Sequence, residues 1–262
     1  MGIKLSISNI AWSAENDQQV YQYMQQAGFQ GLEIAPTRLF PEKPYDHIDD
    51  AREFARNISE IYGFRIPSMQ SIWYGHGEKI FGTEDERHIL QDYTKQAINF
   101  AEAIGVHNLV FGCPKNRVIG EHDNRNIAVE FFKELGDYAA EHGTVLAMEA
   151  NPVIYGTNFL NKTNEAVEFI KEVGSKGFKL NFDFGTLLYH EESMDEVIQD
   201  MNLINHVHIS EPNLKLIERR EDHKVFIKEL RTGGYEGFVS IEMGRREDLN
   251  DVFNTIDYIA AL

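Results

Sequence analysis

The chain has 262 residues, 42% hydrophobic and 26% charged, with a formal net charge of −17. That length suits one α/β barrel domain, 1–262, with a large core, and the acidity excludes nucleic acid and anionic membrane as expected partners, since both are bound through Lys and Arg. The single cysteine, Cys113, excludes an intrachain disulfide and points to a reducing, cytoplasmic setting. It follows an apolar run, so a buried, inert thiol is expected.

No apolar run approaches the roughly 18 residues of a membrane span. The start, "MGIKLSISN", lacks the charged and apolar regions of a secretory signal. Gly2 and Ser6 fit a myristoylation pattern, but residues 3–8 alternate with period two and read as strand 1. A helix follows from Asp17 to Ala27, stopped by Gly28. Residues 31–35 form strand 2, and a proline-rich loop leads to a helix over 48–62. Residues 65–71 form strand 3, followed by a glycine-containing loop and a helix over 84–104 capped by Thr83. Strand 4 covers 107–113, with a helix over 124–142.

The second half repeats the rhythm: strand 5 at 144–150, helix 164–173, strand 6 at 178–183, helix 193–201, strand 7 at 206–210, helix 222–232, strand 8 at 238–243 and helix 247–261. Alternating β and α units imply parallel strands. Eight such units predict an α/β fold, a single (β/α)8 TIM barrel. An open doubly wound sheet is the alternative, weakened by the lack of a GxGxxG turn after strand 1.

Side chains alternate across a strand. One parity is apolar (Leu5, Ile7; Leu32, Ile34; Leu180, Phe182; Val207, Ile209; Val239, Ile241) and faces the helices. The other carries Ser6, Ser8, Glu33, Ser68, Gln70, Asn181, Asp183, His206, His208, Ser240 and Glu242. The predicted barrel interior is therefore polar, and such groups must be paired or bind a cation. Glu149, Asp183, His208 and Glu242 share the inward parity and end four successive strands, 34, 25 and 34 residues apart. Barrel enzymes carry their chemistry at that end of the strands. Three carboxylates and one imidazole suit one divalent cation, Mn2+ foremost, with Mg2+, Co2+ or Zn2+ as alternatives. A purely structural network of buried carboxylates is the competing reading.

At "MEANP", "LNFDFG", "HVHISEP" and "GYEGFVSIEM" the chain resembles the sugar isomerase and epimerase family with the xylose-isomerase-like barrel. That family includes endonuclease IV and the keto-inositol and hydroxypyruvate isomerase branch. The resemblance implies that Glu149, Asp183, His208 and Glu242 hold the metal. It also implies that Glu149 and Glu242 transfer protons on either side of a ketose, keto-inositol or related hydroxy-carbonyl substrate, through a metal-stabilised enediolate. A keto-inositol dehydratase on the same site and a non-catalytic sugar-binding barrel are the alternatives. Two positions depart from the family pattern: Thr186 where a histidine is common, and Leu214 near where an arginine is common. Family members are often oligomers, and a homo-oligomer is left open.

Further candidates for contact with substrate are Glu33, Gln70, Trp73, Asn151, Glu211, His223 and Arg245. Glu33 and Gln70 end strands 2 and 3 on the inward parity. Trp73 and Asn151 follow strands 3 and 5, and Glu211 follows strand 7. Arg219, Arg220, Arg245 and Arg246 lie where barrels often bind phosphate, though neighbouring glutamates suggest solvated ion pairs instead.

Overall fold

A computed structural model describes residues 3–262 of the chain; Gly2, the acceptor of the myristoylation pattern, lies outside them. In chain order the elements are β1 (Lys4–Ser8), α1 (Asp17–Gln26), β2 (Gly31–Glu33), α2 (Pro36–Leu39), α3 (Ile48–Tyr62), α4 (Glu84–Ile104), β3 (Leu109–Phe111), α5 (Arg125–Glu141) and β4 (Leu146–Glu149). They continue with α6 (Thr163–Val173), β5 (Phe178–Asp183), α7 (Phe184–His190), α8 (Met194–Gln199), β6 (Ile204–Ile209), α9 (Glu221–Thr232), β7 (Phe238–Ile241) and α10 (Leu249–Ala260). Start and stop chemistry sets the helix ends. Thr83 accepts from Glu86 N at 3.2 Å while Glu86 returns a bond to Thr83 N at 2.8 Å, closing a capping box on α4.

All pairings are parallel, in the order β2-β1-β7-β6-β5-β4-β3. Residues 65–70 close the ring. On one side Leu32 N donates to Arg65 O (2.9 Å) and Gln70 N to Ile34 O (2.9 Å); on the other Met69 N donates to Asn108 O (2.9 Å) and Val110 N to Met69 O (2.8 Å). The expected third strand is thus a set of isolated bridges rather than a regular strand. Pro67 in its middle has no N–H to give a ladder. The other expected strands are present, most of them trimmed by one or more residues, and β6 begins two residues earlier than expected.

The apolar sets pack against the helices, where Phe111, Phe131, Phe132, Phe169 and Phe178 form one aromatic cluster. Inside the ring, Ser6, Ser8, Glu33, Ser68, Gln70, Asn181, His206, His208 and Ser240 are all buried. Register shifts by one residue between Leu180/Asn181 and Ile204/His206. The extra residue, Asn205, bonds His107 O (3.1 Å) and Asn108 Oδ1 (2.8 Å), and His206 and His208 stay on the inner face.

Candidate active site

Four strand ends bring the quartet together. Glu149 and Asp183 are the last residues of β4 and β5, His208 is next to last on β6, and Glu242 follows β7, its N–H bonded to Ile209 O at 2.9 Å. Register sets Asp183 directly opposite His208. One ligand atom from each of the four lies within 4.8 Å of the others.

Hydrogen bonds orient each member. Asn181 donates to Glu149 Oε1 at 2.8 Å and Asn151 donates to Glu149 Oε2 at 3.0 Å. Asp183 caps α7, accepting from Thr186 N (2.7 Å) and Thr186 Oγ1 (2.9 Å) on Oδ1, and from Ser210 Oγ on Oδ2. His208 Nδ1 lies 2.9 Å from Glu149 Oε1 and 3.2 Å from Glu242 Oε2, while its Nε2 lies 3.0 Å from Glu33 Oε2. An Nε2–H given to Glu33 leaves Nδ1 facing Glu149 and Glu242, the arrangement by which an outer carboxylate fixes the ring of a histidine that ligates a metal.

The electrostatics show what the cluster lacks. Burial, then the charge of Glu149, pushes Asp183 up to about 6. Burial, with Glu149 and Asp183 opposing the pull of His208, pushes Glu242 up to about 7. His208 is held well above its ordinary value: burial opposes its charge, but Glu33, Glu242 and Glu149 outweigh burial. Burial would raise Glu33 too, yet His208 and His206 hold it well below the usual carboxylate range. Two buried carboxylates, Glu149 and Glu242, and the half-buried Asp183 face one another, which disfavours joint ionisation. A divalent cation would supply the missing positive charge, and an O3N donor set with all four atoms this close fits one.

Above the quartet lies a cavity of about 180 Å³ lined by Gln70, Ser71, Val110, Gly112, Cys113, Pro114, Glu149, Asn151, Tyr155, Asp183, Ser210, Leu214 and Glu242. Ser71 (φ 56°), Cys113 (φ 40°) and Leu214 (φ 50°) all hold left-handed backbone there. That conformation costs a side-chain-bearing residue roughly 1–2 kcal/mol, and such strain gathers at functional sites. Gly112 lets the wall approach: a Cβ there would lie 3.1 Å from Glu149 Oε2.

The other sequence candidates divide. Gln70 and Asn151 line the cavity. Glu33 is fully buried beneath His208 and positions it instead of facing the cavity. Trp73 is a core residue, its Nε1 bonded to Thr94 Oγ1 at 2.8 Å and its ring against Phe111. Glu211 is engaged by Arg220 at 2.8 and 2.9 Å. His223 is buried between Phe184 and Tyr258, away from the cavity, and burial lowers it to about 4. Arg245 is exposed and pairs with Glu247 at 3.3 Å. Arg246 pairs with Asp251 at 3.1 Å, so Arg245 and Arg246 both form surface ion pairs. Cys113 is half-buried on the cavity wall, and burial pushes its thiol up to about 12, which keeps it inert. Thr186 buttresses Asp183, and Leu214 forms an apolar part of the wall.

Two residues escaped the sequence reading. Tyr155 lines the cavity, its hydroxyl accepting from Asn213 N at 2.7 Å, and burial pushes it up to about 12. Its place just after Glu149 was the available signal. Arg117 is fully buried behind Glu149, and a lone arginine in a loop carries no mark of that in sequence.

Known structures share the whole architecture. A 3-keto-D-glucoside 4-epimerase from E. coli superposes with a TM-score of 0.77 at 20% identity over 97% of each chain. A D-psicose 3-epimerase from Clostridium cellulolyticum H10 gives 0.76 at 19% identity, covering 99% of this chain and 97% of that one. An AP endonuclease of family 2 from Brucella melitensis gives 0.70 at 20% identity, covering 94% and 95%. At these identities the likeness establishes the shared barrel. No curated protein matches the sequence significantly. A family model described as xylose isomerase-like TIM barrel matches residues 21–261, nearly the whole ring. The chain belongs to the xylose isomerase-like TIM barrel family.

Proposed function

We propose that the protein is a divalent-metal-dependent isomerase or epimerase of a small, uncharged hydroxy-ketone such as a ketose or keto-inositol. One observation carries this reading: Glu149 on β4 and Glu242 after β7, with β5 and β6 between their strands in the ring, line one small cavity with Asp183 beside them and His208 beneath. Glu149, Asp183, His208 and Glu242 would hold the cation, with Mn2+ the proposed ion. When bound, it would polarise a carbonyl and a neighbouring hydroxyl and spread the negative charge that develops as the adjacent C–H proton leaves.

The chain's own groups do the rest. One glutamate takes the proton from the carbon beside the carbonyl. The other returns a proton to the opposite face for epimerisation, or to the adjacent carbon for isomerisation, so no oxidant or reductant is consumed. Asn151 and Asn181 keep the Glu149 oxygens aimed, and Gln70 offers an amide to a substrate hydroxyl. Three carboxylates and no Lys or Arg line the cavity, which favours an uncharged substrate over a phosphorylated one. The keto-glucoside and ketohexose named for the structural relatives are of this chemical class.

The test is solvent deuterium incorporation beside the carbonyl, screened over ketoses, keto-inositols and hydroxypyruvate with Mn2+ present. Exchange is expected with at least one substrate and is lost in Glu149→Gln with the fold intact. Loss of water from the product would identify a dehydratase instead. A folded protein that ignores added Mn2+ would point to a barrel that only binds sugar.

A further inference from the structure

Arg117 is an unusual residue to find behind a carboxylate cluster. Its side chain is 0% exposed and forms no ion pair among the described residues. One guanidinium nitrogen, Nη2, donates to Glu149 O at 2.8 Å and to Asn151 Oδ1 at 2.7 Å, and Nη1 points at Met148 Sδ, 3.0 Å away. Nε has no partner. A buried cation without a paired carboxylate costs several kcal/mol, so the surrounding structure must gain something from it.

The gain is visible at Asn151. A guanidinium only donates and a carboxylate only accepts. An amide held between them has one permitted orientation: Oδ1 to Arg117 and Nδ2 to Glu149. Asn151 Nδ2 accordingly lies 3.0 Å from Glu149 Oε2, while Asn181 holds Oε1 at 2.8 Å. Removing Arg117 leaves the amide held on one side only, free to swing away and leave Glu149 Oε2 without this donor.

We propose that Arg117 is a positioning residue that acts through Asn151: it fixes the amide that aims Glu149 at the cation and the substrate. The inference rests on the reading of Glu149 as a metal-binding and proton-transferring group. Its rival is a loop-holding role, in which Arg117 serves only its own segment, whose carbonyl accepts from Thr157 Oγ1 at 3.1 Å.

A double-mutant cycle separates the two, read as the dissociation constant for Mn2+ alone by titration of the free ion. Arg117→Met keeps the apolar length of the side chain, and Asn151→Leu keeps the shape of the amide. Each is expected to weaken Mn2+ binding about 10–100-fold, as for other groups that orient ligands. The double variant is expected to be no weaker than the worse single by more than about twofold, because both break one chain. Wild-type affinity in Arg117→Met, or effects that multiply, overturns the proposal. If Arg117→Met does not fold, Arg117→Lys decides. A point charge lacks the planar fork, so binding about tenfold weaker is expected, and unchanged binding overturns the proposal. A wild-type chain that binds no Mn2+ removes the functional reading and this inference with it. A wild type that binds, with variants unchanged, removes the inference alone.

Discussion

The two mouths of the barrel are both polar and both hollow, yet they differ in how their polar groups are satisfied. The N-terminal mouth has the larger cavity, about 520 Å³, lined by Lys4, Arg65, His107, Asn108, Asn205 and Glu236 among others. Its groups settle their needs locally. Lys4 Nζ donates to Glu236 O at 2.9 Å, Asn108 to Ser68 Oγ at 3.0 Å, and His107 Nδ1 lies 3.0 Å from Gly143 O. The C-terminal cavity is about 180 Å³, yet it gathers the carboxylates of Glu149, Asp183 and Glu242 above His208, and three residues in left-handed backbone. Cavity size therefore does not locate the chemistry here. Like charges forced to share one place do, because a ligand of opposite charge would relieve them without protonating them.

The sharpest way to break this contrast is Glu242→Gln. If Glu242 transfers protons, deuterium exchange should fall about 10²–10⁴-fold. Because burial and its neighbours already disfavour the charged form of Glu242, the neutral amide should raise the melting temperature of the metal-free protein at pH 8. Activity and stability moving in opposite directions would mark a group strained for function. A variant less active and also less stable would make Glu242 a structural member of the network.

A smaller effect is expected one layer down. Glu33→Gln replaces a carboxylate that accepts from His208 with an amide that can turn its donor side to the ring, so the tautomer facing the quartet is no longer fixed. Mn2+ affinity should weaken about 10–100-fold, measured by titration, with the far-ultraviolet spectrum unchanged. Equal affinity would show that Asp183 and the two glutamates hold the site without help from below.

Glu33 also shows how far the sequence reaches. Period-two alternation placed Glu33, Gln70, Asn181, His206 and His208 inside the barrel, because a strand has only two faces and the apolar one must meet the helices. It placed the quartet as well, since parallel strands from successive units put their ends on one rim. Alternation says nothing about depth along the axis, so it left open whether Glu33 touches substrate or orients a ligand; it lies under His208 and does the second. Loops carry no period at all. Trp73, a candidate for contact with substrate, proved to be core, Glu211 proved to be the partner of Arg220, and Arg117 gave no signal. The third strand was overestimated because Pro67 breaks its ladder without breaking its path.

The pH dependence sharpens the comparison further. Asp183 and Glu242 stand above their unfolded values, at about 6 and about 7, and His208 is raised as well. For a group raised in the folded state, stability is fully present below the unfolded value and fades as pH rises through the folded one. Asp183 and Glu242 therefore make the metal-free protein less stable as pH rises from about 4 to about 7, and His208 extends the loss to higher pH. Over the same interval the donors lose their protons, so Mn2+ binding strengthens. The gap between melting temperatures with and without Mn2+ should widen steadily with pH, and a constant gap would contradict the coupling.

The smallest effect is expected at the other mouth. Lys4→Ala and Arg65→Ala remove cations from the larger cavity, where Lys4 bonds a backbone oxygen and Arg65 is exposed to solvent. Surface charges of this kind contribute little, so exchange rate and Mn2+ affinity should change less than about twofold. One route could prove that wrong. His206 lines the lower cavity, and its Nε2 stands 3.0 Å from Glu33 Oε2, which in turn stands 3.0 Å from His208 Nε2. If either variant shifts Mn2+ affinity more than tenfold, and Glu33→Gln abolishes that shift, this buried column couples the mouths and the lower cavity belongs to the site.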